Sequence, residues 1–179
     1  MKQVEARTVA VTAMMIALVT VFTLAIRVPV APTRGYINFS DVAIYFSAFT
    51  FGPWVGFLAG GIGTGLADAI AGYPQWTLIS FVVHGLEGFL AGWIFRRALR
   101  GAPAGMTAGW AVGTIVMVLG YFLAEVALYG VGPALIEAPG NLLQNVAGGL
   151  IGGPLYWAVR RAYPPITTIA EPRTWQERP

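Results

Sequence analysis

The sequence predicts an all-α membrane protein, a bundle of six transmembrane helices with both termini cytoplasmic. Three observations carry that prediction. Hydrophobic residues make up 56% of the 179-residue chain and charged residues only 11%, where a soluble domain carries about a quarter charged; the mean hydropathy is +0.67. Apolar runs of about 20 residues recur, each long enough to cross the hydrocarbon core of a bilayer. Basic residues gather at breaks that a six-span topology places on one side, and that side is cytoplasmic by the positive-inside rule.

The first span, 8–26, follows Lys2 and Arg7. Its apolar run is too long for a signal peptide and lacks an A-x-A cleavage site. Ala6, Ala10, Ala13 and Ala17 form a small-residue stripe on its cytoplasmic half, read either as internal packing or as a docking surface for another membrane subunit. The break "RVPVAPTRGY" places Arg27 and Arg34 outside, and "RVPVAPTRGYIN" lies over the mouth of the bundle as a lid. The second span, 39–51, is short and expected to be tilted or partly irregular. "FGPW" separates it from the third, 54–72.

The third span contains "GGIGTGLADAIAGYPQW", which opens like a phosphate loop. Such a loop needs a strand before it and free helix N–H groups after it, whereas these glycines lie inside a spanning helix. Gly56, Gly60, Gly63, Ala67 and Ala71 form a stripe along one face, which lets helices approach closely in lipid. "GYPQW" turns the chain into the fourth span, 76–95, which ends at Arg96, Arg97 and Arg100. "RRALRGAPAG" precedes the fifth, 107–129, and "YGVGPALIEAPG" the sixth, 139–159, followed by Arg160 and Arg161. Residues 1–162 thus form the transmembrane domain, and 163–179 a polar, Pro-rich cytoplasmic tail expected to be loosely ordered. The net charge of +3 reflects topogenic bias and implies no nucleic-acid partner. The chain has no cysteine and one histidine, so disulfides, thiolate catalysis and a Cys- or His-based metal site are excluded, and no cofactor is expected.

Polar residues within the spans are sorted by depth. Asp41 opens the second helix, and Asp68 lies near the outer end of the third. Trp76, Ser80, His84 and Glu87 share a face of the fourth. Glu125 stands one turn from Tyr121 and from Tyr129 on the fifth, and Asn141, Gln144 and Asn145 begin the sixth. The inner halves carry no charge. This describes a cup open to the outside with an apolar floor, since ionisable groups in lipid are expensive and mark function. Blander readings stand beside it: Asp41 and Asn141 as helix caps, Tyr36, Tyr73, Trp76 and Tyr129 as an interfacial aromatic belt, and His84 with Glu87 as an i,i+3 pair. Asp68 and Glu125 have no intramembrane Lys or Arg to neutralise them.

The segments "GYINFSDVAIYFSAFTFGPWVGFLAGGIGTGLADAIAGYP" and "HGLEGFLAGWIF" resemble the substrate-binding S components of energy-coupling factor (ECF) transporters, in the riboflavin-type or thiamine-precursor-type branch. The likeness rests on N-x-x-D, G-x-x-x-x-L-A-D and G-L-E-G elements in order, and covers helices 1 to 4 well and the last two by length and placement. It implies a six-helix bundle in the plasma membrane that binds a vitamin or precursor from outside. A membrane coupling subunit and two cytoplasmic ATPases would be its partners. The resemblance assigns Ala13 and Ala17 to the contact with the coupling subunit. It assigns ligand contacts to residues 34–38, including Arg34, Tyr36 and Asn38, and to Trp76, His84, Tyr121, Glu125, Asn141 and Asn145. In related sequences the position of His84 is often lysine, a departure of this chain.

Acids, amides and aromatics suit a ring bearing hydroxyl and amino groups, so hydroxymethylpyrimidine-like (thiamine-related) or pyridoxine-like ligands lead, with riboflavin open. Asp41, Glu87 and Gln144 join the candidate contacts by their depth. Two other classes compete: a small intramembrane enzyme using Asp68, His84 and Glu87 as acid and base, and a helical membrane protein of structural role.

Overall fold

The computed structural model describes residues 6–169. The chain runs α1 (Ala6–Ala25), β1 (Val28–Val30), β2 (Gly35–Ile37), α2 (Ser40–Phe51), α3 (Pro53–Ala71), α4 (Pro74–Trp93), α5 (Pro103–Tyr129) and α6 (Val131–Ala162). A π-helical turn (Ile94–Ala98) prolongs α4, and a 3-10 turn (Pro164–Thr168) follows α6. The protein is mostly helical, and each helix grows from one apolar run of the sequence. α3, α4 and α5 each begin with proline, whose missing N–H would have no helical partner at that position.

Four helical segments among the described residues are long and apolar enough to cross a membrane: α1, α3, α4 with its π turn, and α5. α6 has 32 residues but carries the amides of the site. α2 has 12 residues, about 18 Å of helix. It is a regular helix, so of the two expectations, tilt or partial irregularity, the irregularity is absent, and every residue from Ser40 to Thr50 is buried. It stands at the centre, packed against α1, α3, α4 and α6. α2 stops at Gly52, with φ 95° and ψ −178°, a conformation open essentially to glycine alone.

At this end of α2 the core is aromatic. Phe49 meets Phe95 with ring centroids 5.2 Å apart, and Phe95 meets Tyr156 at 5.3 Å. This is the apolar floor the sequence predicts. Arg96 Nη1 donates to Thr50 O at 2.7 Å, satisfying a terminal carbonyl of α2, and its Nη2 donates to Thr167 O at 3.1 Å. The start of the expected loose tail is therefore an anchored turn, with Ile166 packed on the core. Residues 170–179, like Lys2, lie outside the described residues.

The small-residue stripe of α3 does what lipid packing requires. Gly56 abuts Gly88 and Gly60 abuts the backbone of His84, both on α4, while Gly63 abuts Val19 on α1. On α1 the buried residues are Met15, Val19, Thr20 and Thr23. Ala6, Ala10, Ala13 and Ala17 are all exposed, so internal packing within this bundle is not their role.

Two expectations need correction. "RVPVAPTRGYIN", expected as a connecting segment in an all-α protein, contains strands: β1 and β2 form an antiparallel hairpin pairing Val28 with Ile37 and Val30 with Gly35. The alternating β-branched residues and a turn with Arg34 at φ 50° explain it, and the all-α class acquires this small appendage. α6 begins at Val131 rather than 139 and runs through Pro139. The bond lost at a proline is tolerated where neighbouring groups re-satisfy the backbone.

Candidate functional site

The hairpin closes over one end of the bundle, held by bonds to three helices. Tyr36 OH donates to Asp68 Oδ1 of α3 at 2.6 Å. The backbone N–H of Asn38 donates to Gln144 Oε1 of α6 at 2.6 Å. Trp76 Nε1 of α4 donates to the Arg34 carbonyl at 3.1 Å. Burial, with the Asp68 carboxylate beside it, holds the Tyr36 hydroxyl well above the usual phenol range, so it remains a donor.

Beneath the hairpin lies a tight, partly open pocket, with about 20 Å³ available to the centres of water-sized molecules. Of the residues singled out from sequence, Tyr36, Asn38, Asp68, Trp76, His84, Tyr121, Asn141 and Gln144 line it. Trp76 packs against Tyr121 and Tyr129, with centroids 5.8 and 6.0 Å apart, and Tyr36 against Tyr73 at 4.8 Å. These aromatics thus form walls and lid supports. Ser80 Oγ and Tyr121 OH share a 2.6 Å hydrogen bond across the α4–α5 seam.

Asp41, Glu87 and Asn145 stand behind the pocket and are not among its lining residues. Asn145 is their hub. Its Nδ2 donates to Glu87 Oε1 at 2.6 Å and to Asp41 Oδ1 at 3.3 Å, while its Oδ1 accepts from Tyr45 OH and Thr114 Oγ1 at 2.8 and 2.7 Å. Gln144 Nε2 donates to Asp41 Oδ2 at 2.5 Å. Four helices are thereby pinned at one depth, and such fully satisfied buried networks rigidify a core. Asp41 makes no helix cap; instead, Asn38 Oδ1 accepts the Ser40 N–H at 2.7 Å.

His84 Nδ1 lies 2.7 Å from Glu87 Oε2 and 3.6 Å from Asp41 Oδ1. The i,i+3 pairing read from sequence is therefore present, with Asp41 as a third member. These three residues offer ligating atoms within 4.8 Å of one another, but their oxygens already have amide and imidazole partners. The group needs no ion to be satisfied.

Glu125 lies beside α6, accepting from Asn141 Nδ2 at 3.2 Å. The Arg34 side chain, expected to meet ligand, is exposed; only its carbonyl enters the construction, accepting from Trp76 and Gln75. Sequence reasoning missed Glu137, which lines the pocket with Gly35, Thr23 and Thr64. Glu137 was hidden because Pro133, Pro139 and the nearby glycines read as a loop. Its signal was an acid four, seven and eight residues before Asn141, Gln144 and Asn145, a helical spacing once α6 is seen to start earlier.

The electrostatic balance is one-sided. Asp41, Asp68, Glu87, Glu125 and Glu137 are all buried, whereas no lysine or arginine is buried among the described residues. Asp68 Oδ2, Glu125 Oε2 and Glu137 Oε2 have no hydrogen-bond partner among them.

Comparison with known proteins gives this arrangement a context. Residues 3–161 match the family described as ECF-type riboflavin transporter, S component. A protein of Pyrococcus woesei, described as an uncharacterized protein in the gap 3′ region, is 41% identical over 148 residues, covering 83% of this chain and 98% of its own. The thiamine precursor transporter HmpT of Lactococcus lactis subsp. cremoris (strain MG1363) is 29% identical over 134 residues, covering 74% of this chain and 75% of its own. A solved structure of the S component of a bacterial ECF transporter superposes with a TM-score of 0.61 at 21% identity, covering 87% of this chain and 94% of that one. That likeness is one of fold.

Proposed function

We propose a function from one premise: this chain belongs to the ECF-type riboflavin transporter S component family. It is a membrane transport protein and not an enzyme. Within that family, it captures a vitamin or vitamin precursor from outside the cell and presents it for uptake driven by partner subunits. Six spans place both termini in the cytoplasm and the hairpin outside, in the plasma membrane, with residues 1–162 as the substrate-binding domain. The partners are a membrane coupling subunit and two cytoplasmic ATPases, since the chain carries no nucleotide-binding motif of its own. The exposed Ala6, Ala10, Ala13 and Ala17 form the docking stripe.

The observation that carries the capture role is the pocket under the hairpin. It combines aromatic faces with acids and amides, the composition that orients a small polar ring. A hydroxymethylpyrimidine-like or pyridoxine-like compound fits those groups, and riboflavin is the third candidate. Likeness to a thiamine precursor transporter favours the first.

The test is uptake of each labelled compound by cells that lack their own route for it. Cells carrying this chain with the coupling subunit and ATPases are expected to accumulate one of them. Cells with the partners alone, or with ATPases disabled, are expected not to. Equal accumulation without this chain would refute the role.

A further inference from the structure

His84 is the only histidine of the chain, and its two ring nitrogens meet different surroundings. Nδ1 points back into the bundle, 2.7 Å from Glu87 Oε2 and 3.6 Å from Asp41 Oδ1. Neither acid lines the pocket, whereas His84 does. Nε2, on the far side of the ring, therefore faces the pocket. It has no hydrogen-bond partner among the described residues. The ring itself is fixed, being buried and packed against Tyr121 with centroids 5.4 Å apart. A flip of the ring would break the bond to Glu87.

This geometry fixes where the ring hydrogen sits. An ionised carboxylate only accepts, so a nitrogen aimed at two carboxylate oxygens carries a hydrogen. A second hydrogen, on Nε2, would be a buried donor with no acceptor beside it, which is costly. The bond made by one ring nitrogen sets the state of the other, and Nε2 is left bare. Glu87 is held for this task from behind. Its Oε1 accepts from Asn145 Nδ2 at 2.6 Å, which keeps Oε2 turned toward the ring.

We propose that Glu87 is a positioning residue: by holding the Nδ1 hydrogen of His84 it presents a bare Nε2 to the pocket, where that nitrogen selects a ligand by an N–H or O–H donor. This rests on the S-component reading and gives a role to an acid that lies outside the pocket. Glu87→Gln inverts the arrangement while keeping the side-chain shape. Asn145 Nδ2 needs an acceptor where Oε1 now stands, so the new amide oxygen takes that place and the amide nitrogen faces His84. That nitrogen donates to Nδ1, and the ring hydrogen moves to Nε2. The pocket then meets a donor in place of an acceptor.

The experiment is nitrogen NMR of the purified full chain in detergent at neutral pH, with isotopically labelled histidine rings. One histidine gives one pair of ring signals, and Nε2 is recognised by its coupling to both ring C–H protons. The ligand-free parent is expected to carry its hydrogen on Nδ1 with Nε2 bare. Glu87→Gln should show the reverse. Asp41→Asn should resemble the parent, because the Asp41 oxygen is the more distant of the two. The ligand probe is 4-amino-5-hydroxymethyl-2-methylpyrimidine, with pyridoxine and riboflavin tried in turn. At saturation the bound probe should shift the parent's Nε2 signal while Nδ1 keeps its hydrogen. The same probe should bind Glu87→Gln at least about tenfold more weakly, the scale of one lost hydrogen bond.

A hydrogen on Nε2 in the ligand-free parent would overturn the proposal, as would a folded Glu87→Gln chain with the parent's pattern. A purely structural Glu87 would alter the melting temperature and leave the ring hydrogen where it was. If Glu87→Gln does not fold, the parent's ring pattern and its response to the probe decide alone. A probe that binds without moving the Nε2 signal would overturn the proposal and leave vitamin capture standing. Binding of none of the three probes, with no complex formed with a coupling subunit, would overturn the capture reading and the selection by Nε2 together.

Discussion

Gly56 and Gly88 face each other across α3 and α4 with no room for a side chain on either. A Cβ on Gly56 would lie 2.7 Å from the Gly88 carbonyl oxygen, and one on Gly88 would lie 2.5 Å from that of Gly56. Real Cβ atoms do not approach backbone so closely, so a larger residue must push the helices apart. Gly56→Val or Gly88→Val is expected to cost about 1–3 kcal/mol, read as a lowered melting temperature in detergent. Gly132→Ala meets nothing within 4 Å and should melt like the parent.

Asn145 is expected to behave as a structural residue. Leucine there would remove the donor shared by Asp41 and Glu87 and the acceptor of Tyr45 and Thr114. Two buried carboxylates would be left short of partners, at about 2–5 kcal/mol. Asn145→Leu should therefore unfold at markedly lower temperature than Asp68→Asn. Equal melting temperatures for the two would contradict the network.

That contrast marks where the sequence was legible. Apolar runs located all six helices, and glycine spacing identified α3 as a close-packing helix, though not which neighbour each glycine meets: Gly56 and Gly60 face α4 and Gly63 faces α1. The buried acids and amides were recognisable because polar side chains are rare in such runs. Their division was not: Asp68 opens to the pocket while Asp41 and Asn145 lie behind it. That depends on how each helix is rotated and how far each side chain reaches, which depth along a span does not encode. Glu137 was lost because local proline signals outweighed the helical spacing that tertiary packing sustains. The outward direction of Ala13 and Ala17 was equally invisible, since a small-residue stripe has the same spacing inside a bundle and on its surface.

Topology has a direct chemical test, because the chain has no cysteine. Ala31, in the hairpin turn, and Ala102, between the π turn and α5, are both exposed; Thr33 is buried and would give no signal. Ala31→Cys should react with an impermeant thiol reagent on intact cells, and Ala102→Cys only after permeabilisation. The opposite pattern would invert the orientation.

Docking and capture should separate on α1. Ala13 and Ala17 are exposed and do not line the pocket, and Ala13 lines an apolar groove with Trp54 and Leu58. A bulky residue there blocks the close approach that helix packing in lipid needs. Ala13→Trp or Ala17→Trp is expected to leave ligand affinity unchanged and to abolish both assembly with the coupling subunit and uptake. Normal uptake by both variants would remove this face from the interface.

The central claim is that ligand sits in the pocket beneath the hairpin, and filling that pocket tests it most directly. Thr64 and Ser80 both line it and are nearly inaccessible, from α3 and α4 respectively. The measurement is calorimetric titration of the transported compound onto the parent, Thr64→Met and Ser80→Leu, each confirmed as folded by its melting curve. One-to-one binding to the parent is expected, with a loss of about a hundredfold or more in both variants, the scale of a well-packed site overfilled by a few methylene groups. Parent-like affinity in both folded variants would place the ligand elsewhere and contradict the claim.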